Sequence, residues 1–417
     1  MNPDISKFLL QWAFQRFSTK FKIKNNEIIL DDCIVKFKDV HSSSKPQDID
    51  FGYRKCQIKY GEPNFSKKKV NGKSIVEFNF DLPRELYDHL TLQHEKNARK
   101  DKHGRIRHKH VNSKIAEPSI DILIENVYTV LKESGIKLEK KKFKNKEFAI
   151  CLTHDIDRLG EDRLLRSKTY AYQSLRNIPH LKIKKALGLI KGVFSGKNND
   201  YQIQSVLDLE RKYNADSSWF FLVSRKDSDF DINGQLAKAT FQLLKGQEIG
   251  LHPSFIPLDQ NHIQMEKSIL SRHAEINGVR THYLRGGFPE TLVELEKSGF
   301  SYDSTFGYID QYGFRFGTSY PFNVIAGDRI LGIKEIPQTL MDTQVKDFKT
   351  VTKYLEDTFK ILKSTHSVFV VNYHPSRFNI EKYDDLNLKV YEWILKKGKS
   401  EGALMTSIEQ VMNSIYS

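Results

Sequence analysis

Two aspartates with one residue between them end an apolar run in the sequence FAICLTHDIDRLG, residues 148–160. In an extended chain Asp155 and Asp157 point the same way and lie about 7 Å apart. Carboxylates this close repel each other unless a cation lies between or beside them. The pair therefore indicates a metal site, although a capping or turn role explains most isolated Asp-x-Asp sequences.

Other residues suited to metal binding or proton transfer also follow apolar runs. His252 follows EIGL, Arg285 follows HYL, and His374 follows VFVVNY. Each has a simpler interpretation as a core histidine, a partner for a carboxylate or a strand cap. In α/β barrels, however, the working residues collect where strands end. Carboxylate, imidazole and guanidinium at successive strand ends therefore favour a single catalytic site.

The elements that would position these residues follow from an alternating pattern. Short apolar runs alternate with helical segments from residue 146 onward, which is typical of parallel strands with crossover helices. We predict an α/β fold, a distorted (β/α)7-type barrel over residues 146–417, preceded by a smaller α+β accessory domain over residues 1–145. The seven candidate strands are FAICLT, SSWFFLV, EIGLH, HYLRGG, EIPQTL, VFVVNYH and ALMTS.

Two strongly basic segments interrupt this pattern. Residues 96–114 are expected to form an exposed loop, and residues 158–197 a helical insertion with ten Lys or Arg. The insertion could lie on a membrane surface, although a helical flap with a solvated lysine face is the simpler interpretation. The net charge of +14 suits a solvated basic surface or a polyanionic partner. No nucleic-acid partner is expected.

Cellular location can be inferred only broadly. The three cysteines have no CxxC spacing, so no disulfide framework is implied and a reducing compartment is favoured. No apolar run approaches the roughly 18 residues that span a bilayer. The first residues predict an amphipathic helix and not a signal peptide. We expect a cytoplasmic protein, with peripheral contact at the inner membrane surface as a further expectation.

Residues 146–417 resemble the polysaccharide deacetylase family, the NodB-like carbohydrate esterases. THDID resembles the first family motif with one residue inserted, which implies that Asp155 is the catalytic base and Asp157 a metal ligand. HPSFI resembles the second motif and implies that His252 is a ligand. Ile256 stands where that motif has its second histidine.

The remaining motifs also occur in the family's order. RGGFPE resembles the third motif, which implies that Arg285 orients the base. GFSYDSTFG resembles the fourth, with Asp303, and NYH resembles the fifth, which implies that His374 is the general acid. The similarity is greatest to a bacterial branch with an extra N-terminal domain, which here includes the DKHGR loop from Asp101 to Arg105.

The resemblance implies a metal-dependent hydrolase that removes N-acetyl groups from a sugar or polysaccharide precursor of the cell surface. The cofactor would be a divalent metal, with zinc as the expected ion. The substrate would be an N-acetylated glycan, for which a lipid-linked form would suit the basic insertion. A third ligand is needed because Ile256 cannot serve. Candidates are His282, His262, His108 and His110, although His282 is expected to face away on the strand that carries Arg285.

Two other functions remain open at this stage. The chain could be a catalytically inactive deacetylase-fold protein that binds a glycan or a partner, and the lost histidine would then mark decay. It could also be a glycosyltransferase, because Asp-x-Asp after a strand can hold a metal and a sugar diphosphate. Retention of both a base and an acid argues against the first. The absence of a nucleotide-binding half before the motif argues against the second.

Overall fold

The computed structural model describes residues 1–41, 45–159, 200–378 and 385–416. The basic insertion was expected at residues 158–197, and its residues 160–197 lie outside these ranges. None of the helices in these ranges is both long and apolar enough to cross a membrane.

The N-terminal part is built on a five-stranded sheet in the order β1-β2-β3-β7-β6. Helix α1, Pro3–Phe14, precedes it, and α2, Leu82–Leu90, follows its last strand. Asp81 caps α2 by accepting from the amide of Arg84 at 3.0 Å, so the strand turns directly into the helix. The strands are β1 Lys22–Lys24, β2 Glu27–Ile29, β3 Cys33–Phe37, β4 Gln47–Ile49, β5 Cys56–Ile58, β6 Gly61–Val70 and β7 Lys73–Phe80, and β4 pairs only with β5.

The basic segment 96–114 follows α2 as a loop with one short 3-10 turn at His108–His110. Asp101 organises it, because its carboxylate accepts from the amides of His103 and Arg105. Helix α3, Ser119–Glu133, then leads to the larger sheet. The loop is therefore ordered by its own hydrogen bonds. The domain boundary near residue 146 stays a prediction.

The larger sheet has ten strands, and all of its pairings are parallel except that of β13 with β14. This confirms the predicted α/β class. The order runs β13-β14-β12-β11-β10-β9-β8-β16-β15, with β17 also paired to β8. Among the described residues this order does not join β13 to β15, so barrel closure is not confirmed. The strands are β8 Ala149–Ile156, β9 Ser218–Phe221, β10 Glu248–Leu251, β11 Gly278–Val279, β12 Tyr302–Asp303, β13 Phe322–Ala326, β14 Arg329–Glu335, β15 Leu340–Met341, β16 Val368–Asn372 and β17 Leu404–Thr406.

Strands β8 and β16 form the buried centre of this sheet. Every residue of both strands is buried, as expected for parallel strands covered on both faces. The amphipathic helices around the sheet supply the cover. They are α4 Asp200–Lys212, α5 Gln235–Leu243, α6 Gln260–Leu270, α7 Glu290–Lys297, α8 Phe348–Thr365, α9 Leu386–Glu401 and α10 Ile408–Tyr416.

Two expected strands, HYLRGG and EIPQTL, are wrong. Only the first and last residues of EIPQTL are extended, and they belong to β14 and β15 respectively. HYLRGG is not extended: His282–Leu284 form a 3-10 turn, and the strand β11 ends before it at Val279. Tyr283 and Leu284 both have a left-handed backbone, with φ of 63° and 51°, which a strand cannot contain. This turn decides which way His282 faces.

Candidate metal and acid–base site

Polar side chains from three strands meet at the carboxyl edge of the larger sheet. Asp155 lies within β8 and Asp157 one residue beyond it. His252 directly follows β10, and His374 lies two residues beyond β16. Because these strands are parallel, their carboxyl ends place the residues together. The spatial order β10-β9-β8-β16 puts the β8 aspartates between the two histidines.

Asp157, His252 and His282 form a possible metal site, with one ligand atom from each within 4.8 Å of the others. Asp157 Oδ1 lies 3.4 Å from His252 Nε2 and 3.9 Å from His282 Nε2. Catalytic zinc sites commonly use three protein ligands of this kind and keep one position open. The assignment of Asp157 and His252 as ligands stays a prediction, and His282 joins them in space.

The hydrogen bonds around Asp157 and His252 leave room for a cation between them. His252 Nδ1 donates to the carbonyl of Arg280 at 2.6 Å, which directs its Nε2 toward Asp157. Asp157 Oδ1 is buried and accepts no hydrogen bond from the described residues. A carboxylate oxygen and an imidazole nitrogen that face each other are a suitable pair of ligands for a divalent ion, which would bind the histidine in its neutral form.

The pKa values of Asp157 and His282 are consistent with a metal site. Burial would raise the pKa of Asp157, but its contact with His252 and the positive field of His374 bring it well below its ordinary range. Burial, with help from His252, lowers the pKa of His282 to about 3. Asp157 is therefore ionised and His282 neutral at pH 7, which are the forms that bind metals.

The expectation that His282 faces away was wrong, because it assumed an extended strand through Arg285. The left-handed turn after His282 reverses the chain and directs the imidazole toward Asp157. Ile256 has no atom that could bind a metal, and His282 supplies the third donor instead. The other candidates do not belong to this cluster. His262 pairs with Asp259 at 2.8 Å. His108 and His110 lie on the 3-10 turn of the basic loop, and His108 contacts Ser113 at 3.0 Å.

Asp155 is held by two donors in a buried setting. Arg280 Nη1 donates to its Oδ1 at 3.0 Å, and Asn372 Nδ2 donates to its Oδ2 at 2.7 Å. Burial would raise the pKa of Asp155, but Arg280, followed by His252 and His374, lowers it below the ordinary value. Asp155 is therefore an oriented, ionised carboxylate beside the metal-binding cluster.

Arg285 does not provide this contact, and its expected role in orienting Asp155 is corrected. Its Nη2 donates to the carbonyl of Ser254, and its guanidinium lies over the Phe255 ring at 4.9 Å. The arginine on Asp155 is Arg280, which directly follows β11. The error again came from placing the strand too late, because the arginine at the true strand end is Arg280.

His374 faces both aspartates. Its Nε2 lies 3.8 Å from Asp155 Oδ2 and 3.9 Å from Asp157 Oδ2, while its Nδ1 donates to Asp342 at 3.0 Å. Burial would lower the pKa of His374, but Asp342, with the two aspartates, raises it to about 9. The histidine therefore carries a proton at pH 7, and its Nε2–H points toward the site.

His154, between Thr153 and Asp155, belongs to the opposite face of β8. Its Nδ1 donates to the carbonyl of Tyr373, and its Nε2 lies 2.8 Å from Glu210 of α4. Both ring nitrogens are thus engaged by oxygen acceptors in the core. Alternation along the strand separates this structural histidine from the two aspartates.

Three residues of the site were not found from the sequence: Arg280, Asp342 and Asn372. Each lies at or just beyond a strand end, so the strand-end argument could have found them. Arg280 was hidden because β11 is only two residues long. Asp342 follows β15, which is equally short, and Asn372 is the last residue of β16.

Comparisons with known proteins give distant structural similarities. No family model and no curated protein match the chain. Among solved structures, a Mycobacterium smegmatis protein assigned to the polysaccharide deacetylases is 15% identical with a TM-score of 0.42, and the alignment covers 65% of this chain and 90% of that one. The Puue allantoinase is 15% identical with a TM-score of 0.41, over 64% and 90% of the two chains.

A CE4-family pseudoenzyme from Bacillus anthracis is also similar, at 11% identity and a TM-score of 0.34, over 65% of this chain and 66% of that one. At TM-scores below 0.5 these similarities carry no functional argument. Function therefore has to follow from the side chains of the site.

Proposed function

We propose that the protein is a metal-dependent hydrolase that removes N-acetyl groups from a sugar or polysaccharide precursor. The observation that carries the proposal is the three-donor cluster of Asp157, His252 and His282 beside an ionised Asp155 and a protonated His374. This is the set of groups that metal-assisted hydrolysis of an amide requires: a metal site, a base and an acid.

Asp157, His252 and His282 would hold the divalent metal, and their nitrogen and oxygen donors suit zinc. When bound, the metal would polarise the amide carbonyl as a Lewis acid. The side chains that face the cluster carry out the proton transfers.

Asp155 would take a proton from the attacking water. Arg280 and Asn372 each donate to one of its carboxylate oxygens, so the group is ionised and fixed in orientation. Water attacks the acetyl carbon, and the C–N bond then breaks. Asp342 keeps the Nε2 proton on His374, which passes it to the departing amine. The products are acetate and a free amino sugar.

The proposal is tested by metal content and acetate release. Wild-type protein is loaded with zinc, dialysed and analysed beside Asp157→Ala, His252→Ala and His282→Ala. His262→Ala is the matched control, because this exposed histidine pairs only with Asp259. We expect about one zinc per chain in wild type and control. The three variants should lose most of their zinc on dialysis, because their affinity is lower although still measurable. A wild-type protein that binds no divalent metal would overturn the proposal.

Acetate release from N-acetylated oligosaccharides separates the enzyme from its main alternative. A deacetylase releases acetate and loses this activity in Asp155→Asn. An inactive glycan-binding protein would retain zinc and glycan but release no acetate. The glycosyltransferase alternative fits the geometry less well, because Asp155 is committed to Arg280 and Asn372.

A further inference from the structure

We propose that the loop Asp101–Arg105 of the N-terminal part positions His282, the third donor of the candidate metal site. This inference rests on the proposed metal site. It assigns to the N-terminal part a role in catalytic geometry, through a hydrogen bond between Arg105 and Tyr283, which lie 178 residues apart in the chain.

The turn that presents His282 has an unfavourable backbone. Tyr283 has φ 63° and ψ 14°, and Leu284 has φ 51°, so two consecutive bulky residues occupy the left-handed region. This backbone conformation is unfavourable for residues with a bulky side chain, and it persists only when surrounding contacts fix it. A relaxed turn would take His282 away from Asp157.

The loop supplies contacts to the residue at the centre of this turn. Arg105 Nη1 donates to the carbonyl of Tyr283 at 2.7 Å. The His103 ring stacks on the Tyr283 ring with centroids 5.4 Å apart and planes 21° apart. Tyr283 in turn stacks on His282 with centroids 3.9 Å apart. The contacts therefore run from the loop through Tyr283 to the metal-binding imidazole.

The loop is itself preorganised. Asp101 Oδ2 accepts from Arg105 Nε at 3.0 Å and Nη2 at 2.8 Å, which leaves Nη1 for Tyr283. Asp101 Oδ1 also accepts from the His103 amide at 2.9 Å. Arg105 and Asp101 are only 13% and 17% exposed. The Asp101 carboxylate thus fixes the Arg105 guanidinium directly and holds the His103 backbone, which carries the imidazole that touches the turn.

Metal affinity tests this role, with Arg105→Ala compared with Lys102→Ala. Each substitution removes one positive charge from the same loop, but the Lys102 side chain is exposed. Loss of a nearby positive charge should strengthen cation binding. Weaker binding in Arg105→Ala would therefore come from lost positioning. Zinc affinity measured by chelator competition should fall about 10- to 100-fold in Arg105→Ala, the usual effect of removing a group that orients a ligand. Lys102→Ala should stay within about twofold.

A double-mutant cycle checks that the effect passes through His282. In a His282→Ala background, Arg105→Ala should cause no further loss of zinc affinity, because the positioned ligand is already absent. Arg105→Lys should recover part of the affinity, since an ammonium can reach one acceptor but cannot bridge two. The visible spectrum of the cobalt-loaded Arg105→Ala protein should shift toward that of His282→Ala.

The outcomes separate this inference from the proposed function. If wild type binds no divalent metal, the proposed function fails and the positioning role with it. If wild type binds zinc and Arg105→Ala binds it equally well, only the positioning role is overturned. Full additivity of the two substitutions would also overturn it. Circular dichroism and thermal unfolding confirm that each variant is folded.

Discussion

Arg280 is the residue on which the charge of the proposed base depends. Its guanidinium donates to Asp155 and Thr153 and to both oxygens of Ser304, and it lies over the Phe220 ring at 4.6 Å. No part of its side chain is exposed. Removing one partner of such a pair leaves the other charge buried without compensation, which is more costly than the pair itself is stabilising.

Arg280→Ala should lower the free energy of unfolding by about 3–5 kcal/mol, the range for breaking a buried ion pair. Arg285→Ala should cost only about 1–2 kcal/mol, because this half-buried side chain loses one hydrogen bond and one ring contact. Urea denaturation of both variants makes the comparison. Equal costs would contradict the assignment of Arg280 as the partner of Asp155.

Asp342 sets the proton affinity of His374. The Asp342→Asn variant should show this as a change in the pKa of His374. The carboxylate of Asp342 raises the pKa of His374 to about 9, so its removal should lower this pKa. The imidazole should then lose its proton at a lower pH than in wild type. NMR titration of the His374 ring in metal-free protein measures the change. An unchanged pKa would mean that Asp342 does not hold the acid in its protonated form.

Part of the site could be predicted from the sequence. Asp155, Asp157, His252 and His374 stand out as polar residues at the ends of clearly apolar strands, and the structure brings them together. Arg280 and Asp342 follow strands of two residues, which have no detectable periodicity. The position of His282 depends on a turn held by distant contacts. Local patterns cannot encode such an arrangement.

The surroundings of strand β11 are crowded. A Cβ on Gly278 would lie 2.0 Å from Tyr302 Cζ, so only glycine lets the tyrosine ring lie across β11. Gly250 makes the same allowance on β10, where a Cβ would lie 2.5 Å from the Phe220 ring. These two glycines let large rings fill the space beneath the site. The position of β11 then determines the position of Arg280, which directly follows this strand.

Gly278→Ala should destabilise the protein by about 1–3 kcal/mol, the usual cost of overpacking a core. It should also weaken zinc binding, because the displaced β11 carries the segment that leads to His282. Gly332→Ala on β14 is the matched control, since its Cβ would meet only Glu296 Oε1 at 3.4 Å. Thermal unfolding and zinc titration test both variants. A Gly278→Ala protein with wild-type stability would show that Tyr302 can move aside.

The alternating pattern predicted the α/β class and five strands of the larger sheet, which are β8, β9, β10, β16 and β17. β8 and β16 were clear because all of their residues are buried and apolar runs mark them. HYLRGG was misassigned because its apolar residues belong to a turn and not to a strand. β11 and β12 were missed because each has only two residues. β13 and β14 were also missed, although they have five and seven residues.

At the scale of the molecule, buried polar contacts join the N-terminal part to the larger sheet. Trp12 of α1 donates to the carbonyl of Pro321 at 2.8 Å. Arg16 donates to Asp121 at 2.6 Å, and the same carboxylate accepts from Ser367 at 2.6 Å. Removing these groups from water is stabilising only if all of them are paired. The two parts should therefore unfold together.

Glu95 provides the most direct test of this coupling. This residue, just after α2, accepts from Arg315 Nε at 2.9 Å and Nη2 at 2.6 Å, and both side chains are less than 10% exposed. Glu95→Ala should cost about 3–5 kcal/mol, because Arg315 would stay buried without its partner. Glu117→Ala, which removes the half-exposed partner of Arg54, should cost about 1 kcal/mol or less.

Replacing both partners separates the cost of an unpaired charge from the value of the pair. Glu95→Leu combined with Arg315→Met should be more stable than Glu95→Ala alone, because no uncompensated charge remains in the core. If the two parts unfold as one unit, fluorescence and circular dichroism should give the same urea midpoint in wild type and in each variant. Separate midpoints in the wild type would show that these buried contacts do not couple the N-terminal part to the sheet that carries the site.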